Sequence, residues 1–348
     1  MERIRLAVIG TGFAWERLHW PALQELSAQY EVIALCDRIR EKAATWAERL
    51  GLTEDRVYDD YHQMLKRSDI DAVDILVPIE LNYEVAHHVA ETGKAIILEK
   101  PLAPTRDQAK ESVDLPLKYK VPVMVAENFR YSEEYNSLRD LVRQKRIGEP
   151  IYVIHHNASC FPCSMTKDTF AATEWRQHPD YPGGDFLDAA LHDLAGLRHV
   201  FGAIDRLHAF GHPQKDDYSP YLSYHVNIGF MNGVIGQYTF FTGGKELQRP
   251  LVGLRIVGTQ GQIYLEDKSC GVINLFLPGT HEMIPFKPGR GYYNELMNFY
   301  KAFHHQEPIA VPPEMEYGDA HTVFAVLDSL RDGGVVEVDR TAVYEPAY

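Results

Sequence analysis

Short apolar runs and helix-like stretches take turns through the first third of the chain, and this alternation sets its architecture. The runs are "IRLAVIG" (4–10), "YEVIALCD" (30–37), "AVDILVP" (72–78), "KAIILEK" (94–100) and "VPVMVAE" (121–127). Between them lie segments of helical character near 15–29, 39–50, 82–92 and 105–119. Near-continuous apolar strands joined by helices imply a parallel sheet covered on both faces. After Asn128 the pattern changes. A helix near 133–145 leads into "IYVIHHNA", a polar Gly/Pro-containing segment over 159–184 and a helix near 187–201. Then come "RLHAFG", "LSYHVNIGF", "GVIGQYTFF", "LVGLRIVG", "GQIYLED" and "VINLFLP". Turns such as Met231-Asn232-Gly233 and Gly258-Thr259-Gln260-Gly261 predict a largely antiparallel sheet. Helices near 293–305 and 317–331 close the pattern. A length of 348 residues favours two domains over one core. The expectation is an α/β chain, with a doubly wound parallel Rossmann sheet in 1–127 and an α+β domain in 128–348.

The first strand runs into Gly10-Thr11-Gly12, with Phe13 and Ala14 opening the following helix. Glycines in such a turn allow close backbone approach to a pyrophosphate at the helix N-terminus. Asp37 ends the second strand, where a carboxylate accepts hydrogen bonds from an adenosine ribose. The third glycine of the usual fingerprint is missing, with Ala14 or Trp15 in its place. Arg38 follows and can grip a 2′-phosphate, so NAD is expected with NADP open. A second signal is the abrupt end of Ala95–Leu98 in Glu99-Lys100-Pro101. Ligands bind beyond the carboxyl ends of parallel strands, and Pro101 restricts the backbone, so Lys100 is aimed rather than loose. A cis Lys100–Pro101 bond fits such a turn; a plain surface turn is the competing reading. Asp188 and His192 are four apart and share one helix face. Spacing alone also fits a helix-start carboxylate and a packed histidine.

Taken together, these motifs resemble the glucose–fructose oxidoreductase / inositol dehydrogenase / MocA family of NAD(P)-dependent oxidoreductases. The residues that carry the resemblance are Gly10-Thr11-Gly12, Glu99-Lys100-Pro101, Asn128-Phe129-Arg130, Gly183-Gly184 with Asp188 and His192, and "YYNELMNFYKAF". The resemblance implies a Rossmann domain followed by an open-faced sheet that forms homodimers or homotetramers. It implies hydride transfer between a nicotinamide and a secondary alcohol or ketone of a sugar, cyclitol or related polyol. Lys100, Asp188 and His192 match the catalytic residues. Pro78, Glu99 and Lys100 join the cofactor set with the glycine turn, Asp37 and Arg38. Arg130 matches an arginine near the substrate in some members, and Trp175 and Arg176 are further substrate candidates beside Lys100, Asp188 and His192. Three positions depart from the pattern: an extra residue precedes His19, Asn82 replaces a common histidine, and Ala195 replaces a frequent second acid. The alternatives are a catalytically silent NAD(P)-binding sensor, or the same fold acting on a non-sugar such as a dihydrodiol or an imine.

A net charge of −14 argues against a nucleic-acid partner, since phosphate contacts need a basic surface. No apolar run approaches the ~18 residues of a membrane span, and no signal segment is expected before the first strand. Four cysteines are too few for a disulfide framework, which suggests a reducing, cytoplasmic setting. His155 and His156 point to opposite faces of a strand, so with Cys160 and Cys163 they make a poor zinc set and no metal is expected. Cys160-Phe161-Pro162-Cys163 does not open a helix after a βαβ strand, so a redox pair is not expected either.

Overall fold

The computed structural model describes residues 2–166 and 168–338. The chain divides into two compact units: up to Asn128 together with Tyr292–Tyr317, and Phe129–Gly291 with the chain from Gly318 onward. The division lies one residue from the sequence boundary. The segment 292–317, however, returns to the first unit rather than staying in the second. Its helix Gly291–Phe303 buries Leu296, Phe299 and Tyr300. Tyr30 Oη donates to the Leu296 carbonyl at 2.6 Å, and Val125 N donates to the Val311 carbonyl at 3.0 Å. Apolar burial and these bonds tie the returning segment to the first sheet.

That sheet contains β1 (Ile4–Ile9), β2 (Tyr30–Cys36), β3 (Val57–Tyr58), β4 (Ala72–Ile75), β5 (Ala95–Glu99) and β6 (Val123–Ala126). All neighbours are parallel, in the order β3-β2-β1-β4-β5-β6 of a Rossmann sheet. Every residue of β4 and β6 is buried, as continuous apolar strands require. Two residues of edge strand, β3, carry too little pattern to be read from sequence. Lys100 follows β5 and Gly10 follows β1, so both stand at the carboxyl edge of one sheet, and the Lys100–Pro101 bond is cis.

The second unit carries β7 (Pro150–Ala158), β8 (Ile204–Pro213), β9 (Tyr221–Phe230), β10 (Ile235–Phe241), β11 (Gly253–Gly258), β12 (Gln262–Leu265), β13 (Val272–Leu277), β14 (Thr280–Pro285) and β15 (Val336–Glu337). Their order is β14-β13-β12-β11-β7-β10-β9-β8-β15, antiparallel throughout except β7 with β10. Tyr224, Val226 and Ile228 of β9 and Tyr238 and Phe240 of β10 are buried on one face. His225, Asn227 and Gln237 alternate with them and are exposed. The outer face of β10 is mixed, with apolar Ile235 and Phe241 beside polar Gln237 and Thr239. The helix Leu191–Phe201 packs on the inner face, where Tyr238 Oη donates to Asp193 at 2.8 Å.

One sequence expectation is overturned. Cys160 and Cys163 form a disulfide, so the four cysteines are not all free thiols; Cys36 and Cys270 are. A short helix, Phe161–Ser164, brings the two Cα atoms to 5.3 Å, within bridging range. No helix among the described residues is long and apolar enough to cross a membrane.

The first unit also buries a carboxyl that no described residue satisfies. Both oxygens of Glu295 lack a hydrogen-bond partner among the described residues. Burial pushes its pKa well above the usual range; His19 opposes this, while Glu99, Glu127 and Asp74 add to it. The unfolded carboxyl ionises as pH rises through ~4.3, while the folded one keeps its proton, so stability falls with rising pH until the raised pKa is reached. Glu295→Gln removes that dependence. Thermal unfolding should show the variant about 2 °C or more above wild type at pH 8, with the gain shrinking at pH 5; an equal shift at both pH values would contradict this account.

Candidate functional site

At the carboxyl edge of the first sheet, the glycine turn is held by specific bonds. Gly10 has φ +97°, and a Cβ there would lie 2.2 Å from the Leu76 carbonyl oxygen. Only glycine permits that conformation and that approach. Thr11 donates from both N and Oγ1 to Asp37 Oδ2, each at 2.9 Å. Asp37 Oδ1 accepts from Ile39 N at 2.9 Å. The carboxylate thus braces the turn and is fixed in place at the end of β2. Phe13 lies under the Arg17 guanidinium at 4.0 Å. Arg38 is exposed, and Pro78 caps the helix Ile79–Glu91.

The extra residue before His19 is absorbed by a π-helical turn over Trp15–His19, in which Trp20 N donates to the Trp15 carbonyl. The missing third glycine has a physical reason too. Trp15 is fully buried against Trp20 and Trp46, with centroids at 5.5 and 5.6 Å, and its bulk fills the helix-packing space. The same turn delivers His19 to two carboxylates: Nδ1 lies 2.9 Å from Asp74 Oδ2, and Nε2 lies 3.1 Å from Glu99 Oε1. Burial alone would discharge the imidazole; Asp74 and Glu99 outweigh it and hold the His19 pKa well above its ordinary value. Sequence reading found no role for His19, because its partners come from β4 and β5, far along the chain. Lys100, next to Glu99, is partly exposed.

In the second unit, Asp188 lies on a π-helical turn, Phe186–Ala190, that opens the helix bearing His192. Asp188 is buried and accepts from Arg176 Nε at 2.6 Å. Arg176 in turn sits over Trp175 at 3.9 Å and Phe170 at 5.3 Å. The polar segment 159–184 therefore places an arginine on the aspartate, a pairing that sequence spacing did not reveal. His192 is half-buried and stacks on Phe129 at 4.7 Å. Arg130 is buried and donates twice to Asp319, at 2.7 and 2.5 Å, with Arg198 on the same carboxylate. This internal ion pair engages the Arg130 guanidinium.

Two family descriptions match this chain: an oxidoreductase family with NAD-binding Rossmann fold over residues 4–127, and a GFO/IDH/MocA C-terminal domain over 135–264. The chain belongs to the Gfo/Idh/MocA oxidoreductase family. It is 28% identical to an uncharacterised protein of Saccharomyces cerevisiae over 81% of this chain and 80% of that one. It is 25% identical to 1,5-anhydro-D-fructose reductase of Ensifer adhaerens over 89% and 91% of the two chains. Among solved structures, an oxidoreductase from Thermotoga maritima superposes with TM-score 0.86 at 27% identity, over 98% of this chain and 100% of that one.

The glycine turn fits the family's NAD(P). A Cβ on Gly12 would meet nothing within 4 Å, so protein packing gives no reason for glycine there, whereas a pyrophosphate lying on the turn does. The two glycines should therefore separate on substitution. Gly10→Ala should destabilise the fold by about 2 kcal/mol or more, from strain and the clash with Leu76. Gly12→Ala should leave unfolding nearly unchanged while raising the Kd for NAD tenfold or more, about 1.4 kcal/mol. Thermal melts and fluorescence titration with NADH check both, and tight NADH binding by Gly12→Ala would remove the argument from the cradle.

Proposed function

We propose that this family member oxidises a secondary alcohol of a sugar, cyclitol or related polyol, or reduces the matching ketone, with NAD preferred over NADP. The observation that carries the reading is the placement of Lys100 and the Gly10–Gly12 turn at the carboxyl edge of one sheet, where such sheets bind their ligands. Support for the substrate class comes from the anhydrofructose reductase relative and from a D-xylose 1-dehydrogenase of Haloarcula marismortui, 27% identical over 58% of this chain. Asp37, held by Thr11 and Ile39, presents a negative charge that disfavours a 2′-phosphate.

NAD(P) held at the Gly10–Gly12 turn and Asp37 would supply the hydride acceptor or donor. The remaining work falls to side chains. His192 takes the hydroxyl proton, a role suited to an imidazole. Lys100 stabilises the developing alkoxide. Asp188, kept in place by Arg176, binds a neighbouring hydroxyl or orients the imidazole, and Trp175 and Arg176 line the substrate. A panel of polyols assayed with both cofactors identifies the substrate. With it, His192→Ala should lower kcat by ~10²-fold or more with NAD affinity nearly unchanged, and Lys100→Met should also lose turnover. Variants that fold, bind NAD and turn over at the wild-type rate would refute the catalytic roles.

We also propose a homo-oligomer formed by a second copy on the outer face of the second unit's sheet. Phe210, Ile235 and Val335 are exposed there, and a groove of about 480 Å³ lies across β7–β10. Light scattering should return a dimer or tetramer at micromolar concentration, and Ile235→Lys should shift it toward monomer; a wild-type monomer would overturn the assignment.

A further inference from the structure

We infer that Asn82 is the positioning residue for Lys100, acting by clamping the backbone on both sides of the lysine. The inference rests on the catalytic reading of Lys100. Asn82 lies in the first turns of the helix Ile79–Glu91 and is fully buried. Its Nδ2 donates to the Glu99 carbonyl at 3.0 Å and to the Pro101 carbonyl at 2.7 Å. These two carbonyls flank Lys100, so one planar amide sets the spacing and direction of the chain from which the ammonium is aimed. The lysine's own stem is flexible, and its reach is useful only if its Cα–Cβ direction is set.

The rest of the amide is left unserved. Asn82 Oδ1 is buried and accepts no hydrogen bond among the described residues. A buried acceptor without a partner disfavours folding, and a leucine of similar volume would avoid that penalty. What the amide supplies is the pair of donors. The resemblance puts a histidine at this position, and a neutral imidazole carries a single N–H. Asparagine carries two on one nitrogen, which is what two carbonyls need.

A second hold acts on the same turn. His19 fixes the Glu99 carboxylate at 3.1 Å and is itself fixed by Asp74 at 2.9 Å. Glu99 is therefore gripped by its side chain and, through Asn82, by its carbonyl. Pro101 limits the backbone on the far side.

The experiment is a double-mutant cycle on the full chain: wild type, Asn82→Leu, Lys100→Met and the double variant. Each is assayed with the best polyol from the panel, by circular dichroism and by NADH titration. Asn82→Leu should lower kcat about tenfold or more, the scale of a misplaced reacting group, with NADH affinity within about twofold. In the Lys100→Met background the same substitution should change kcat less than about twofold, because the group it positions is gone. If Asn82→Leu is insoluble, Asn82→Ala, which removes both donors with less bulk, takes its place under the same criteria. Independent, multiplying effects would overturn the inference, as would an unchanged kcat in Asn82→Leu. So would insolubility of both Asn82 variants, since the amide would then serve folding alone. Wild-type turnover by Lys100→Met would instead refute the catalytic reading itself.

Discussion

A solvent-free imidazole, His19, held between Asp74 and Glu99, pins the carboxyl edge of the first sheet. Its three residues follow or belong to three adjacent strands, β1, β4 and β5, so the bonds cross the sheet near its carboxyl edge. A buried ion pair is weak evidence for stability, because desolvation offsets most of the attraction. Losing one partner is another matter, since a buried charge left alone costs about 3–5 kcal/mol. The arrangement thus adds little net stability as a pair and is costly to break. The π-helical turn at Trp15–His19 follows from it: an added residue in the helix is tolerated because the backbone widens locally and keeps His19 facing its carboxylates.

The nucleotide turn depends on the same edge. Gly10 approaches the Leu76 carbonyl because β1 and β4 are neighbours, and Thr11 is drawn to Asp37 because β2 lies on the other side of β1. The glycine turn and the turn bearing Lys100 are therefore two loops at the carboxyl edge of one sheet. In the second unit, the equivalent work is done without a sheet edge. Asp188 is set by a widened helical turn and by Arg176, whose guanidinium lies over the Trp175 and Phe170 rings. The disulfide between Cys160 and Cys163 lies in the same polar segment, where Met165 accepts a hydrogen bond from Gln177, the residue after Arg176.

From sequence alone, the parallel sheet, the antiparallel sheet that follows it and the glycine turn after the first strand were legible, and Asp37, Lys100, Asp188 and His192 could be named as candidates. Each is local: apolar strands announce burial, glycines announce a tight turn, and Glu-Lys-Pro closes a strand within three residues. Only the tertiary structure decided which side chains meet. His19 with Glu99, Asn82 with the carbonyls around Lys100, Arg176 with Asp188, and Arg130 with Asp319 are pairs whose partners are set by strand order and helix packing. Periodicity reports which face of an element is buried, and it carries no information on what lies opposite. For the same reason the return of 292–317 to the first unit was invisible: an amphipathic helix shows that it must be covered, while the sheet it covers is chosen by the path of the whole chain.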